Sequence, residues 1–158
     1  MKMPENKFMQ RAIALALENV QSDRGGPFGA LILKKGKIIA EAANCVTSTN
    51  DPTAHAEIVA IREACKKLGT FQLTGCEIYA SCEPCPMCLA AIYWARLDRI
   101  YFAGTAADAT QAGFDDSFIY QEIAKPHDQR KIPMLRLMRE DSRAPFRAWA
   151  QKPNKIGY

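Results

Sequence analysis

Two short segments carry residue types that could bind a transition metal and move a proton. They are residues 53–57, which read TAHAE, and residues 83–88, which read EPCPMC. Two cysteines three apart on a helix share a face, so Cys85 and Cys88 can bind one ion as thiolates. His55 adds an imidazole from a second helix. Three protein ligands leave the fourth position of a tetrahedral zinc open for water, as a catalytic site requires.

Glu57 is the candidate general base beside this ion. It follows His55 by two residues, and residues two apart on a regular helix face different sides. The two side chains therefore converge only if one of them lies at the start of a helix, where the backbone is not yet helical. Asp51 and Pro52 predict that a helix starts here, because aspartate caps helices and proline suits their first turn. We expect Glu57 to lie beside the open coordination position without binding the metal.

The other cysteines and the second histidine have simpler interpretations. Six cysteines in 158 residues favour metal binding or catalysis over disulfides in a reducing compartment. Cys82 also lies three residues from Cys85 and is the alternative ligand, although we expect it at the end of a strand. We expect His127, in a polar stretch, to be exposed. Small buried side chains are the expectation for Cys45, Cys65 and Cys76.

Apolar periodicity predicts one α/β domain over residues 1–158, with helices layered on a mixed sheet. The expected helices cover about 5–22, 51–68, 84–96 and 145–150, and residues 106–120 are helical or irregular. The expected strands cover 29–33 and 38–42, joined by a turn at 34–37, and then 76–81, 99–103 and 132–139.

Charge and hydropathy limit the partners of this chain. The net charge is +4, and its lysines and arginines form no dense run, so we expect no nucleic-acid partner. No apolar run approaches the roughly 20 residues of a membrane span. The first residues lack the apolar core of a signal peptide. We therefore expect a cytoplasmic protein without a membrane partner.

The two metal segments resemble the cytidine-deaminase superfamily, whose zinc nucleobase deaminases share His-x-Glu and a later Pro-Cys-x-x-Cys. Within it, the chain is most similar to the bacterial guanine deaminases. That likeness runs through residues 25–30, 50–57, 81–87, 91–96 and 112–120. The last segment, AGFDDSFIY, separates them from the tRNA adenosine deaminases, which resemble the chain through the zinc motifs.

This resemblance implies a three-layer α/β/α sandwich around a five-stranded mixed sheet, and the hydrolysis of guanine to xanthine and ammonia with zinc. It implies a homodimer in which residues from about 120 to 158 are exchanged, so that Tyr158 closes the partner's site. Asp116 would help to protonate the leaving amine. The implied substrate contacts are Asn44, Phe28, Ala56, Trp94, Asp115 and Tyr158.

Several of these assignments have structural alternatives. Asn44 could be a turn residue, Phe28 and Trp94 could be core residues, the two acids a helix cap or a solvated pair, and Tyr158 a frayed end. The functional alternatives are a tRNA adenosine deaminase, a deaminase of another small aminated heterocycle, and a zinc-binding module without catalysis.

Overall fold

A computed structural model describes residues 6–157 of the chain. It divides them into two compact units, the first ending at Asp116 and the second beginning at Ser117. The expected single domain of residues 1–158 stays a prediction. The first unit contains α1 (Asn6–Gln21), β1 (Gly29–Lys34), β2 (Lys37–Ala43), α2 (Val46–Thr49), α3 (Ala56–Leu68), β3 (Cys76–Cys82), α4 (Pro86–Trp94), β4 (Arg99–Gly104) and α5 (Ala106–Gln111). The second contains α6 (Ser117–Ala124), a 3₁₀ turn (His127–Gln129) and α7 (Arg143–Gln151).

The sheet is mixed and has the strand order β2-β1-β3-β4. Strand β1 is antiparallel to both β2 and β3, whereas β3 and β4 are parallel and are joined through α4. The predicted hairpin is confirmed. Its turn places Lys35 and Gly36 at positive φ, 51° and 73°, which suits the twist of a two-residue hairpin turn.

Alternating residues of the strands face two different cores, since successive side chains point to opposite sides of a sheet. One core joins the sheet to α3 and α4 and includes Ala30, Ile32, Ala60, Ile78 and Ile92. The opposite core joins it to α1 and includes Phe8, Ala12, Leu31, Leu33 and Tyr79. A Cβ at Gly29 would lie 2.4 Å from the carbonyl oxygen of Ala12, so glycine is what allows this close packing of helix on strand.

The fifth predicted strand does not form. Residues 132–139 are irregular, and their apolar side chains are exposed, with Leu135 at 84% and Leu137 at 81%. Their alternating pattern predicted a strand, but a strand needs a neighbour to satisfy its backbone groups. Pro133 also lacks the N–H that a ladder requires. Within residues 6–157 the mixed sheet therefore has four strands, which corrects the expected five.

The second predicted helix begins later than expected. Asp51 does not cap a helix. Its Oδ1 accepts hydrogen bonds from the Thr53 N–H at 2.8 Å and the Thr53 hydroxyl at 2.6 Å, which forms a turn. Helix α3 starts at Ala56, and the short α2 before it was not predicted. Among the described residues, no helix combines the length and apolar character needed to cross a membrane.

Candidate active site

Two helices begin at the predicted metal ligands. His55 immediately precedes α3 in an extended conformation (φ −68°, ψ 154°). Cys85 precedes α4 in a similar one (φ −63°, ψ 168°), with Pro86 at the start of that helix. Neither side chain caps its helix, so both remain available to a metal. The positive ends of both helix dipoles point to this place and favour a thiolate there.

The ligand atoms of His55, Cys85 and Cys88 lie within 4.8 Å of one another. The His55 Nδ1 is 3.6 Å from the Cys85 Sγ and 3.5 Å from the Cys88 Sγ. A tetrahedral zinc with Zn–S bonds of about 2.3 Å and Zn–N bonds of about 2.0–2.1 Å would separate nitrogen and sulfur by about 3.6 Å. The spacing and the donor types therefore fit zinc.

Cys82 takes a different place. It ends β3, as predicted, and its thiol donates to the carbonyl oxygen of Thr105 at 3.5 Å. It is not a member of the three-residue ligand group among the described residues. Burial raises the pKa of its thiol, which disfavours the thiolate that zinc binds.

Glu57 lies in the first turn of α3 with only 8% of its surface exposed. Burial is the main cause that raises the pKa of its carboxyl, and the negative charge of Cys85 raises it further. The carboxyl also hydrogen-bonds the Cys88 thiol, so it lies beside the ligand group. The extended backbone at His55 allows two residues of one short segment to point to the same place.

The titration of the ligands reflects their contacts. A hydrogen bond from Cys88, followed by one with His55, lowers the pKa of Cys85 well below its usual range. The same bond to Cys85, together with burial, raises the pKa of Cys88. The contact with Cys85 raises the pKa of His55. The two sulfurs thus share one proton, which a metal bound by both thiolates would have to displace.

A cavity of about 660 Å³ opens beside this group. Seven of the predicted site residues line it, namely Phe28, Asn44, His55, Glu57, Cys85, Asp115 and Asp116. Ala56 does not, because it is fully buried in the core beneath α3. Trp94 does not either. It is 68% exposed and lies in a separate groove with Tyr93. Tyr158 lies outside the described residues.

The rest of the lining was not predicted from the sequence. It includes Val20, Asp23, Val46, Thr47, Pro52, Glu83, Ala106, Ala109 and Phe114. Phe114 packs edge-on against Phe28, with ring centroids 4.9 Å apart. Glu83 could have been predicted to line the site, because it is adjacent to the Pro-Cys motif. Nothing in the sequence pointed to Val46 and Thr47, which belong to the unpredicted α2.

Acidic side chains dominate the charged part of the lining. Asp23, Glu57, Glu83, Asp115 and Asp116 all contribute, whereas no lysine or arginine is among the described lining residues. Burial, followed by the charge of Cys85, raises the pKa of Asp116. The wall therefore suits a ligand with hydrogen-bond donors and disfavours a phosphate.

Residues 3–104 match the family described as the cytidine and deoxycytidylate deaminase zinc-binding region. A guanine deaminase of Bacillus subtilis is 54% identical over 156 residues, covering 99% of this chain and all of that protein. The chain belongs to the guanine deaminases of the cytidine deaminase superfamily.

Solved structures agree with this membership. The crystal structure of guanine deaminase from Bacillus subtilis has a TM-score of 0.96 over 99% of each chain. A guanine deaminase from Nitrosomonas europaea has a TM-score of 0.68 at 32% identity, over 73% of this chain and 67% of that one. By contrast, a tRNA-specific adenosine deaminase of Aquifex aeolicus is 49% identical over only 49% of this chain and 51% of its own length.

Proposed function

We propose that this chain catalyses the hydrolytic deamination of guanine to xanthine and ammonia. The observation that carries the proposal is a buried carboxyl, Glu57, beside a His-Cys-Cys group with zinc spacing, in the wall of a cavity. That combination provides a metal with an open position and a proton carrier next to it. The full-length similarity to a guanine deaminase supports guanine as the substrate.

His55, Cys85 and Cys88 would hold the zinc, which supplies Lewis acidity that lowers the pKa of a water molecule toward neutrality. Glu57 takes a proton from the attacking water and delivers it to the ring nitrogen next to C2. The water oxygen bonds to C2. The proton of the resulting C2 hydroxyl is then passed to the amino nitrogen, so that the bond from C2 to this nitrogen breaks, ammonia leaves and the C2 carbonyl forms. A carboxyl whose pKa is raised by burial suits a group that must both accept and release a proton.

Asp116 would serve as the second proton carrier. The amine must be protonated before it can leave, and Glu57 already has two transfers to make. Asp116 lines the same cavity, and its raised pKa favours a carboxyl that can donate.

Exchange of Asp116 for Asn should reduce kcat and leave the zinc content unchanged, which single-turnover kinetics and metal analysis would measure.

The remaining walls suit a flat, neutral base. Asn44 offers an amide, and Phe28 with Phe114 offers an aromatic surface. The acidic lining opposes the phosphates of a tRNA loop, whose recognition relies on cationic side chains. These features favour a free purine over an anticodon.

The decisive test is ammonia release from guanine, guanosine, adenine, cytidine, cytosine and a tRNA anticodon stem-loop by the purified, zinc-loaded protein. We expect release from guanine and none from the stem-loop. Release from the stem-loop alone would contradict the proposal and favour adenosine editing. Release from cytosine alone would favour a different small heterocycle.

We further propose a homodimer that exchanges residues from about 120 to 158. Among residues 117–157 no residue is buried, and the exposed apolar side chains include Ile132, Leu135, Leu137, Met138 and Phe146. Apolar surface on this scale usually marks an interface. Light scattering should give a dimer for the wild type and a monomer for Leu135→Asp combined with Leu137→Asp. The cytoplasmic location stays a prediction.

A further inference from the structure

Asn19 is a polar residue on the buried face of α1. It follows Phe8, Ala12 and Ala16 at helical spacing and is only 2% exposed, as buried as the apolar side chains beside it. Burial of an amide is unfavourable unless its hydrogen bonds are made inside the protein. An asparagine in this stripe therefore needs a reason other than packing of the core.

The amide nitrogen of Asn19 joins two loops that line the cavity. It donates to the Gly26 carbonyl oxygen at 2.9 Å and to the Asn44 carbonyl oxygen at 2.9 Å. Both donors of the NH₂ group are thereby used. One side chain thus holds together the end of α1, the loop before β1 and the turn after β2.

The neighbouring Gly25 shows how closely these segments approach. A Cβ at Gly25 would lie 2.3 Å from the Asn44 carbonyl oxygen and 3.0 Å from the Asn19 Nδ2. A methyl group at this position would push the loop away from the Asn44 main chain. The glycine at position 25 therefore leaves the space that the Asn19 hydrogen bonds need.

Apart from its side-chain NH₂, all hydrogen-bonding groups of Asn44 have partners. Its N–H donates to the Phe28 carbonyl oxygen at 3.0 Å. Its Oδ1 accepts from the Gly26 N–H at 3.4 Å and the Val46 N–H at 3.2 Å. Within residues 6–157 its Nδ2 has no acceptor, while the residue lines the cavity. The amide donors of Asn44 are thus left for a ligand.

We propose that Asn19 is a positioning residue for substrate recognition. By fixing the Asn44 main chain and the Gly26 loop, it sets the direction in which the Asn44 amide donates into the cavity. This role deepens the proposed function, because it assigns to Asn19 the orientation of a contact with an acceptor atom of the purine. Asn19 itself touches neither the zinc ligands nor Glu57 in the hydrogen bonds described.

Asn19→Asp tests this role with almost no change of shape, because it replaces the two donors by an oxygen that faces two carbonyl oxygens. Asn19→Ser is the second variant, in case the aspartate prevents folding. The control is Phe8→Leu, which weakens the packing of α1 on Tyr79 at the other end of the helix. All variants should retain zinc.

We expect the KM for guanine to rise about tenfold to a hundredfold in the Asn19 variants, the effect of one or two lost hydrogen bonds. The kcat should change far less, because a contact made equally in the ground and transition states affects KM alone. Binding of 8-azaguanine to the same variants in a Glu57→Gln background should weaken by the same factor. Phe8→Leu should leave both values at the wild-type level.

A double-mutant cycle with Asn44→Ala separates positioning from general destabilisation. If Asn19 acts through Asn44, the double variant should be no weaker in KM than Asn44→Ala alone. The proposal would be overturned if the Asn19 and Asn44 substitutions raised KM by factors that multiply in the double variant. It would also be overturned if Phe8→Leu raised KM as much as the Asn19 variants do.

A readout without substrate keeps this inference distinct from the proposed function. The side-chain amide of Asn44 should give one sharp pair of NMR signals in the wild type, assigned by their loss in Asn44→Ala. The pair should broaden or split in Asn19→Asp and stay unchanged in Phe8→Leu. Unchanged signals in Asn19→Asp would overturn the positioning role, even in a protein that deaminates guanine. If the wild type did not turn over guanine but the Asn44 signals broadened in Asn19→Asp, only the proposed function would be rejected.

Discussion

At the scale of single residues, the proposed metal binding and proton transfer belong to different side chains of one short segment. His55 precedes α3 and Glu57 lies in its first turn. The extended backbone at His55 turns the imidazole toward the two sulfurs, while the carboxyl comes from inside the helix and is buried. A regular helix could not direct both side chains to one point.

Exchange of Glu57 for Gln should abolish turnover and preserve zinc. An amide has nearly the same shape but cannot carry a proton, so we expect kcat to fall at least about a hundredfold. Zinc content by atomic absorption should equal that of the wild type, since Glu57 is not a member of the ligand group. A variant that kept more than a few per cent of the rate would show that another group transfers the proton.

The ligand assignment is testable with a matched pair of cysteine variants. Cys85→Ser should lose zinc, because the serine hydroxyl stays protonated near neutral pH and does not replace a thiolate. Cys82→Ser should keep zinc, because Cys82 contacts the Thr105 carbonyl and lies outside the group. Full metal content in the Cys85 variant together with loss in the Cys82 variant would reverse the assignment.

At the scale of helices and strands, the sequence predicted most elements of the first unit. Helix α1, the hairpin of β1 and β2, β3, β4 and α4 lie where periodicity and turn residues indicated. The start of α3 was misplaced because Asp51 has two uses, as a helix cap or as the first residue of a turn. Its contact with Thr53 selects the turn, and no pattern in the sequence decides between them.

The candidate site was predictable where chemistry restricts residue type and spacing. The types and spacing of one histidine and two cysteines predicted a metal site, and the three came together as expected. The rest of the wall comes from loops whose approach depends on tertiary contacts, such as the hydrogen bonds of Asn19 to two distant carbonyl groups. Asn19 could have been noticed as the one amide in an apolar stripe, although its partners could not.

Helix α5 supports one side of the cavity through a capping box. The Asp108 Oδ2 accepts from the Thr105 N–H and from the Thr105 hydroxyl, both at 2.7 Å. The Asp108 N–H donates to the Thr105 Oγ1 at 3.2 Å. The bond from the Thr105 backbone is the first cause that lowers the pKa of Asp108. This helix contributes Ala106 and Ala109 to the lining.

Asp108→Ala should therefore destabilise the protein in a pH-dependent way. A carboxyl with a lowered folded-state pKa contributes stability above its unfolded pKa of about 3.9, and that contribution is lost as the pH falls through the lower folded value. Urea unfolding in the presence of a chelator should show a lower midpoint for the variant at pH 7, and the difference should narrow as the pH falls through the lowered folded-state pKa.

Glu63→Ala is the matched control for this experiment. Glu63 is exposed on α3, and its carboxylate accepts no hydrogen bond in the part of the chain described by the structure. The control should unfold near the wild-type urea midpoint at pH 7, because it removes a carboxylate without removing a capping hydrogen bond. A difference between Asp108→Ala and wild type that stays constant as the pH falls would contradict the capping role of the charged carboxylate.

At the scale of the whole molecule, the two units differ in how far they bury their apolar side chains. The first contains two cores packed on opposite faces of the sheet. In the second, residues 117–157 include no buried residue, and Leu135 and Leu137 are more than 80% exposed. This exposed apolar surface supports the proposal that the segment packs on a second copy of the chain.

Exchange of the C-terminal segment predicts that two inactive variants restore activity to each other. One is Glu57→Gln, which removes the proposed proton carrier. The other is Tyr158→Ala, which removes the side chain proposed to close a partner's site. Unfolding and refolding an equal mixture should make about half of the dimers mixed, each with one intact site. We expect about a quarter of the wild-type activity from the mixture, and little from either variant refolded alone.

The outcome depends on which chain closes each site. If the end of each chain closed its own site, the mixed dimer would combine one site without Glu57 and one without Tyr158, and the mixture would stay inactive. High activity of Tyr158→Ala alone would show that the last residue is dispensable. Recovery in the mixture requires that a site be built from two chains, because the active body and the intact end then come from different subunits.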